Sequence, residues 1–279
     1  MQVYSTINDL QRALSKERSA GKSIGFVPTM GALHQGHLEL VKRSALENDV
    51  STVSIFVNPT QFNDANDLLK YPRTLDADCD LLRTVACNYV FAPDAKEIYP
   101  EPDTRVFDFG SLATVMEGRF RPGHFNGVAQ VVSRLFDIVQ PDKAYFGEKD
   151  FQQLAVVREL VRQLGLAVQI IACPIVREKD GLAMSSRNRR LSENQRKQAV
   201  VISKTLFESK EKQHIFPVQK VKQWVIDRIN LASELQVEYF EIVDGFTLQP
   251  IEKWEDTNYP VGCVAVFAGE IRLIDNVTY

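Results

Sequence analysis

The chain lacks several features that would place it quickly. Its four cysteines, Cys79, Cys87, Cys173 and Cys263, form no C-x-x-C pair. That argues against a disulfide or zinc framework and for small buried hydrophobes in a reducing cytoplasm. The longest apolar stretch, Leu166 to Val176, is broken by Gln169 and Pro174 and is too short to span a bilayer. The N-terminal run MQVYSTINDLQRALSKERS has no apolar h-region, so it reads as an exposed amphipathic helix and not as a signal peptide. Positive charge is not in excess, because 33 Lys and Arg stand against 36 Asp and Glu for a net charge of −3. A mildly acidic chain is a poor candidate for gripping a nucleic-acid backbone. No G-x-x-x-x-G-K-[ST] loop, G-x-S-x-G elbow, metal-ligand cluster, internal repeat or low-complexity tract occurs. Histidine is scarce too. There are four, and two of them, His34 and His37, lie three residues apart.

What is present is ordinary globular material, 279 residues with 44% hydrophobic and 25% charged. Strand-like and helix-like segments alternate up to about Cys173. The strand candidates are Ile24–Val27, Val53–Val57, Tyr89–Phe91, Lys143–Phe146 and Val168–Ala172, with Val106–Phe109 as a further one. Between them, helical spacing appears at Leu38, Val41 and Ala45; at Leu75, Cys79, Leu82 and Ala86; from Val128 to Val139; and from Leu154 to Leu164. This rhythm predicts an α/β fold, a Rossmann-like doubly wound parallel sheet with helices on both faces. Ligands of such sheets bind at the carboxyl ends of the strands.

The pattern then changes. Ser192 and Gln195 suit a capping box opening one helix, and Pro217 starts another. Strands are expected at Val237–Val243, Val261–Phe267 and Ile271–Ile274, with a turn at Gly269. We therefore expect a catalytic domain over 1–176 and a smaller α+β domain over 177–279.

The chemistry-bearing residues cluster after the strand candidates. Met30, Gly31, Ala32, Leu33, His34, Gln35, Gly36 and His37 follow the first one. A helix N-terminus attracts anions, glycines let the backbone approach a ligand, and two imidazoles within one turn can face one phosphate, more strongly if charged. Asn58 and Gln61 follow the second strand and offer amides to a hydroxylated ligand. Gly147, Glu148, Lys149 and Asp150 follow another, with Gln153 one turn on; Asp150 also suits a helix cap. Met184, Ser185, Ser186 and Arg187 form a loop that can wrap a triphosphate and serve as a lid. The loop Met116–Gly127, which holds His124, is expected to contribute to the site or to a partner chain, or else His124 caps the next helix. Asp76, Asp78 and Asp80 are candidate metal ligands.

His34-Gln-Gly-His37 resembles the H-x-G-H signature of the class I nucleotidyltransferases, and Met184-Ser-Ser-Arg187 resembles their second, mobile-loop signature. The wider set is narrower in meaning. Pro28–His37, Asn58-Pro-Thr-Gln-Phe62, Tyr71-Pro-Arg-Thr74, Glu117–Gly127, Gly147-Glu-Lys-Asp150 and Met184–Arg187 together resemble the pantoate–β-alanine ligases. The resemblance implies ATP-driven joining of pantoate to β-alanine, through a pantoyl adenylate, by a cytoplasmic homodimer using Mg-ATP. It implies that Met30–His37, Gly147–Asp150, Val176 and Met184–Arg187 contact ATP, with His37 as a proton donor. It implies that Gln61 and Gln153 hold pantoate. His34, His37, Lys149 and Arg187 are then the catalytic group, and no nucleic acid or membrane is involved.

Overall fold

The computed structural model describes residues 1–62 and 65–279. The described residues fall into two compact units. The first takes Met1–Phe109, Arg121–Glu148 and Gln153–Pro174. The second takes Ile175–Tyr279 and, in addition, two short pieces of earlier sequence, Gly110–Phe120 and Lys149–Gln152.

The first unit is built on β1 (Gln2–Tyr4), α1 (Ile7–Ser19), β2 (Ile24–Thr29), α2 (Gln35–Glu47), β3 (Val50–Ile55), α3 (Ala65–Lys70), α4 (Leu75–Arg83), β4 (Tyr89–Phe91) and α5 (Ala95–Ile98). After the short helix α6 (Met116–Phe120) come α7 (His124–Val139), β5 (Lys143–Gly147), α8 (Phe151–Leu164) and β6 (Gln169–Cys173). Six strands form one sheet in the order β1-β4-β3-β2-β5-β6, and each pair is parallel. The central strands are buried along almost their whole length, as a parallel sheet covered on both faces requires. Val27, Leu33, Val41, Val53, Leu82 and Val90 pack in one core cluster. The strand order reverses at β2, so the carboxyl ends of β2 and β5 flank the topological switch point.

Two local expectations are corrected. The N-terminus does not start as helix. Gln2–Tyr4 pairs with Tyr89–Phe91 as β1, and the helix begins only after Thr6, whose hydroxyl accepts from the Asp9 amide at 3.3 Å. Val106–Phe109 is not a strand. Its backbone is held by side chains instead: the Phe107 amide donates to Asn126 Oδ1 at 2.9 Å, and Gln130 Nε2 donates to the Arg105 carbonyl at 2.8 Å. The alternation of Val106 and Asp108 with Phe107 and Phe109 mimics a strand, but Phe107 and Phe109 stack on each other at 6.3 Å.

The second unit adds α9 (Glu193–Lys212), α10 (Val218–Asn230), β7 (Leu235–Asp244), β8 (Pro260–Ala268) and β9 (Ile271–Thr278). The strands form an antiparallel sheet in the order β7-β8-β9. Gly269 at φ 59° makes the β8–β9 turn. The expected capping box is present, with Ser192 Oγ accepting from the Gln195 amide at 3.2 Å and the Ser192 amide donating to Gln195 Oε1 at 3.0 Å. Leu206, Val221, Val225, Phe240, Val264 and Val266 form its core.

Candidate active site

The segment Met30–His37 leaves the end of β2 in a turn that needs unusual backbone. Gly31 has φ 83° and Ala32 φ 50°. A Cβ on Gly31 would lie 3.0 Å from both Asp78 Oδ2 and Ile55 Cγ2. The turn is tied from below. Thr29 Oγ1 donates to the Ser54 carbonyl at 2.7 Å and accepts from the Gly31 amide at 3.2 Å. Asp78, on α4 and only 1% exposed, accepts from the amides of Ala32 at 2.9 Å and Leu33 at 2.7 Å. Thr74 Oγ1 donates to the same carboxylate at 3.2 Å.

The amides of Gly31, Ala32 and Leu33 are thus taken up by side chains within the protein. His34 is the N-cap of α2. Its Nδ1 accepts from the Gly36 amide at 3.2 Å, and His37 Nδ1 accepts from the His34 amide at 3.3 Å. The rings lie 4.1 Å apart at 43°. An amide N–H aimed at Nδ1 requires a lone pair there, which puts each ring proton on Nε2. In this arrangement each ring turns its Nε2 edge, as a donor, away from the backbone it caps.

Gln61 sits in a short 3₁₀ turn, Pro59–Gln61, beyond the end of β3. Its Nε2 donates to Met30 Sδ at 2.9 Å, which brings it to the His34–His37 segment. Asn58, expected to touch ligand, is fully buried. Its Nδ2 donates to Gln61 Oε1 at 3.2 Å and to the Gly127 carbonyl at 3.1 Å, while Tyr99 donates to its Oδ1 at 3.0 Å. Asn58 holds Gln61 and does not reach solvent. Burial pushes the Tyr99 hydroxyl up to about 12, so it remains a donor at neutral pH.

The loop before α7 serves the same turn. His124 Nδ1 lies 2.8 Å from the Gln61 carbonyl, and Arg121 Nη1 lies 3.1 Å from His124 Nε2. A carbonyl at Nδ1 demands a proton there, so His124 has the opposite tautomer to His34 and His37. Gly127 lets the helix touch the turn, since a Cβ there would fall 2.3 Å from the Thr60 carbonyl.

The other expected residues lie as follows. Gly147 ends β5, Glu148–Asp150 form a 3₁₀ turn, and Gln153 is half-buried in the first turn of α8. Lys149 Nζ lies 3.5 Å from Asp150 Oδ2, so Asp150 pairs with the lysine. The Met184 amide donates to the Val176 carbonyl at 3.0 Å, and Ser185 Oγ caps the 3₁₀ helix Ser186–Arg190 by accepting from the Arg187 amide at 3.2 Å. Gly147, Glu148 and Gln153 belong to the first unit with His34, His37 and Gln61; Lys149, Asp150, Val176 and Met184–Arg187 belong to the second.

Sequence reading missed two carboxylates. Asp78 looked like a metal ligand, yet its oxygens are occupied by backbone amides and Thr74. Glu117 is 8% exposed and takes Arg272 in a two-pronged pair, with Nη1 to Oε2 at 2.8 Å and Nη2 to Oε1 at 2.7 Å. Tyr239 donates to Glu117 Oε1 at 2.8 Å. Burial opposes the charge on Arg272, but Glu117 and Glu238 outweigh it and keep the guanidinium protonated. Helical spacing could not reveal either role, because both depend on contacts far along the chain.

A family model described as pantoate-beta-alanine ligase matches residues 2–278. A pantothenate synthetase of Phocaeicola vulgatus is 62% identical over 280 residues, covering 100% of this chain and 99% of that protein. One from Bacteroides thetaiotaomicron is 60% identical over 279 residues, with 100% and 99% covered. A crystal structure of pantothenate synthetase from Thermus thermophilus superposes with a TM-score of 0.93 at 45% identity, covering 99% of each chain. A pantoate-beta-alanine ligase from Francisella tularensis, solved with an ATP ligand and β-alanine, superposes with a TM-score of 0.83 at 35% identity, over 100% of this chain and 97% of that one. With its paired imidazoles at the end of β2 and a match along nearly its whole length, the chain belongs to the pantoate–β-alanine ligase family.

Proposed function

We propose that this chain joins pantoate to β-alanine at the expense of ATP, giving pantothenate, AMP and pyrophosphate. The observation that carries the reading is the full-length family match with the His34–His37 pair in place at the end of β2. The pantoate carboxylate attacks the α-phosphorus; an O–P bond forms and pyrophosphate leaves. The β-alanine amine then attacks the acyl carbon, a C–N bond forms, and AMP leaves with the shared oxygen. Displacement at an anionic phosphorus calls for positioning and for donors around the phosphates, not for a protein nucleophile.

The roles follow from residue chemistry. His34 and His37 direct Nε2–H toward phosphate oxygens. His37 donates from Nε2 to the departing pyrophosphate. Lys149 and Arg187 supply cations, and Met30–His37, Gly147–Asp150, Val176 and Met184–Arg187 surround the nucleotide. Gln61 and Gln153 bind pantoate's hydroxyls and carboxylate without adding charge. Asn58 acts through Gln61. The 177–279 region closes over the reactants and keeps water from the acyl adenylate.

No cluster of three or more His, Cys, Asp or Glu able to hold a metal occurs among the described residues. Magnesium keeps several waters and takes phosphate oxygens as ligands, so it enters with ATP as part of the substrate. No described helix is long and apolar enough to cross a membrane. Four free, buried cysteines support a reducing cytoplasm, and the family resemblance supports a homodimer, which light scattering checks. The function is tested by pyrophosphate release with ATP and pantoate. We expect release that requires pantoate; none with pantoate present would overturn the reading.

A further inference from the structure

Asp275 and Asn276 are neighbours on the edge strand β9, 4% and 7% exposed. Side chains of successive strand residues leave on opposite faces, so this pair reaches two different segments. Asp275 takes the guanidinium of Arg177 in a fork, with Nη1 to Oδ2 at 2.7 Å and Nη2 to Oδ1 at 2.9 Å. Its Oδ1 also accepts the Asn276 amide at 2.8 Å. Asn276 Nδ2 donates to the carbonyl of Lys149 at 3.1 Å. All of these residues lie in the same compact unit.

Arg177 also organises its own loop. Its Nη1 donates to the Gly181 carbonyl at 3.1 Å, Arg177 and Ala183 form an isolated β-bridge, and the Met184 amide donates to the Val176 carbonyl at 3.0 Å. The segment 176–184 is thus closed on itself and anchored to β9 by the Arg177–Asp275 fork and by Arg177 Nη2 donating to the Asn276 carbonyl at 3.4 Å, and it runs directly into Ser185–Arg187. Burial pushes the Asp275 carboxyl above its ordinary range, with Arg177 pulling the other way. A buried charge pair of this kind is weak evidence for stability, which leaves geometric register as its physical rationale.

We infer that Asp275 and Asn276 are positioning residues for the nucleotide: one strand edge sets the place of both Lys149 and the loop that carries Arg187. The inference rests on the proposed ATP roles of Lys149 and Arg187. Its consequence is that loosening β9 weakens ATP handling while leaving the pantoate side, built on Gln61 and Gln153, as it was.

The test titrates ATP and pantoate separately in the pyrophosphate assay, using the full chain. Asn276→Ala removes the donor to Lys149. Arg177→Lys keeps a charge opposite Asp275 but loses the fork, and serves if Asn276→Ala does not fold. Thr278→Ala, exposed on the same strand, is the control. We expect either variant to raise the KM for ATP about five- to tenfold, with the KM for pantoate within about twofold of the parent, as loss of one or two hydrogen bonds predicts. An unchanged KM for ATP, or a parallel rise in both constants, overturns the inference. Absence of pantoate-dependent pyrophosphate release in the parent chain would instead overturn the functional reading beneath it.

Discussion

Asp78 accepts the backbone amide of Leu33 at 2.7 Å across 45 residues of sequence, and so a carboxylate on one helix shapes the turn that presents the imidazoles. With the Ala32 amide at 2.9 Å on its other oxygen, the carboxylate holds a non-glycine residue at φ 50°. Asp78→Asn replaces one acceptor with an NH₂ that faces an amide. We predict a loss of about 2 kcal/mol in urea unfolding, the scale for an unsatisfied buried partner, together with slower adenylate formation. Parent-like stability and rate would show that the turn keeps its shape without Asp78.

The two histidines separate capping from chemistry. Asparagine is among the best N-caps, so His34→Asn should leave stability within about 0.5 kcal/mol of the parent. Its Nδ2 cannot reproduce the Nε2–H donor at the same reach. Pantoate-dependent pyrophosphate release should therefore fall by about 10²-fold, and His37→Ala should cost about 10²–10³, the range for losing one preorganised donor. Turnover at the parent rate in both variants would remove the imidazoles from the mechanism.

Glu117 is a structural anchor in the second unit, although its motif suggested a place in the site. Its amide donates to Gln152 Oε1 at 2.9 Å, and Gln152 Nε2 donates to the Leu112 and Val115 carbonyls at 2.7 and 2.9 Å. Glu117→Ala leaves Arg272 buried with Glu238 alone. We expect a loss of about 3 kcal/mol by denaturant unfolding, the low end for breaking a buried pair. A loss below about 0.5 kcal/mol would mean that Glu238 suffices.

The thiols should be inert in the folded chain. All four cysteines are buried, and burial pushes Cys87 up to about 12. A raised value means that the thiol keeps its proton at pH 8.5, and the thiolate is the nucleophile. Iodoacetamide labelling, read by mass spectrometry, should be at least about tenfold slower than in urea. Fast labelling of Cys87 in the folded protein would contradict its burial.

The parallel sheet was legible because buried parallel strands are short apolar runs and their helices carry a clear stripe, as from Val128 to Val139. β1 was not. Its residues read exposed, exposed and half-buried, so no apolar pattern marks it, and its place comes from pairing with Tyr89–Phe91. Val106–Phe109 failed in the opposite way, for its apolar alternation is spent on local stacking. His34, His37 and Gln61 stand out in the sequence because their residue types suit phosphates and hydroxyls at a strand end, and the structure brings them to one turn. Asp78, Glu117, Asp275 and Asn276 do not stand out. Each acts on a segment remote in sequence, and a lone carboxylate or amide on a helix or strand looks like any solvated surface group.

The central claim is that a pantoyl adenylate forms before β-alanine is used. Rapid quench of the enzyme with α-labelled ATP and pantoate, without β-alanine, measures it most directly. We predict about one equivalent of acid-labile acyl adenylate per site with matching pyrophosphate, converted to AMP and pantothenate when β-alanine is added. ADP with inorganic phosphate, or AMP released with no acyl adenylate on the path, would contradict the account.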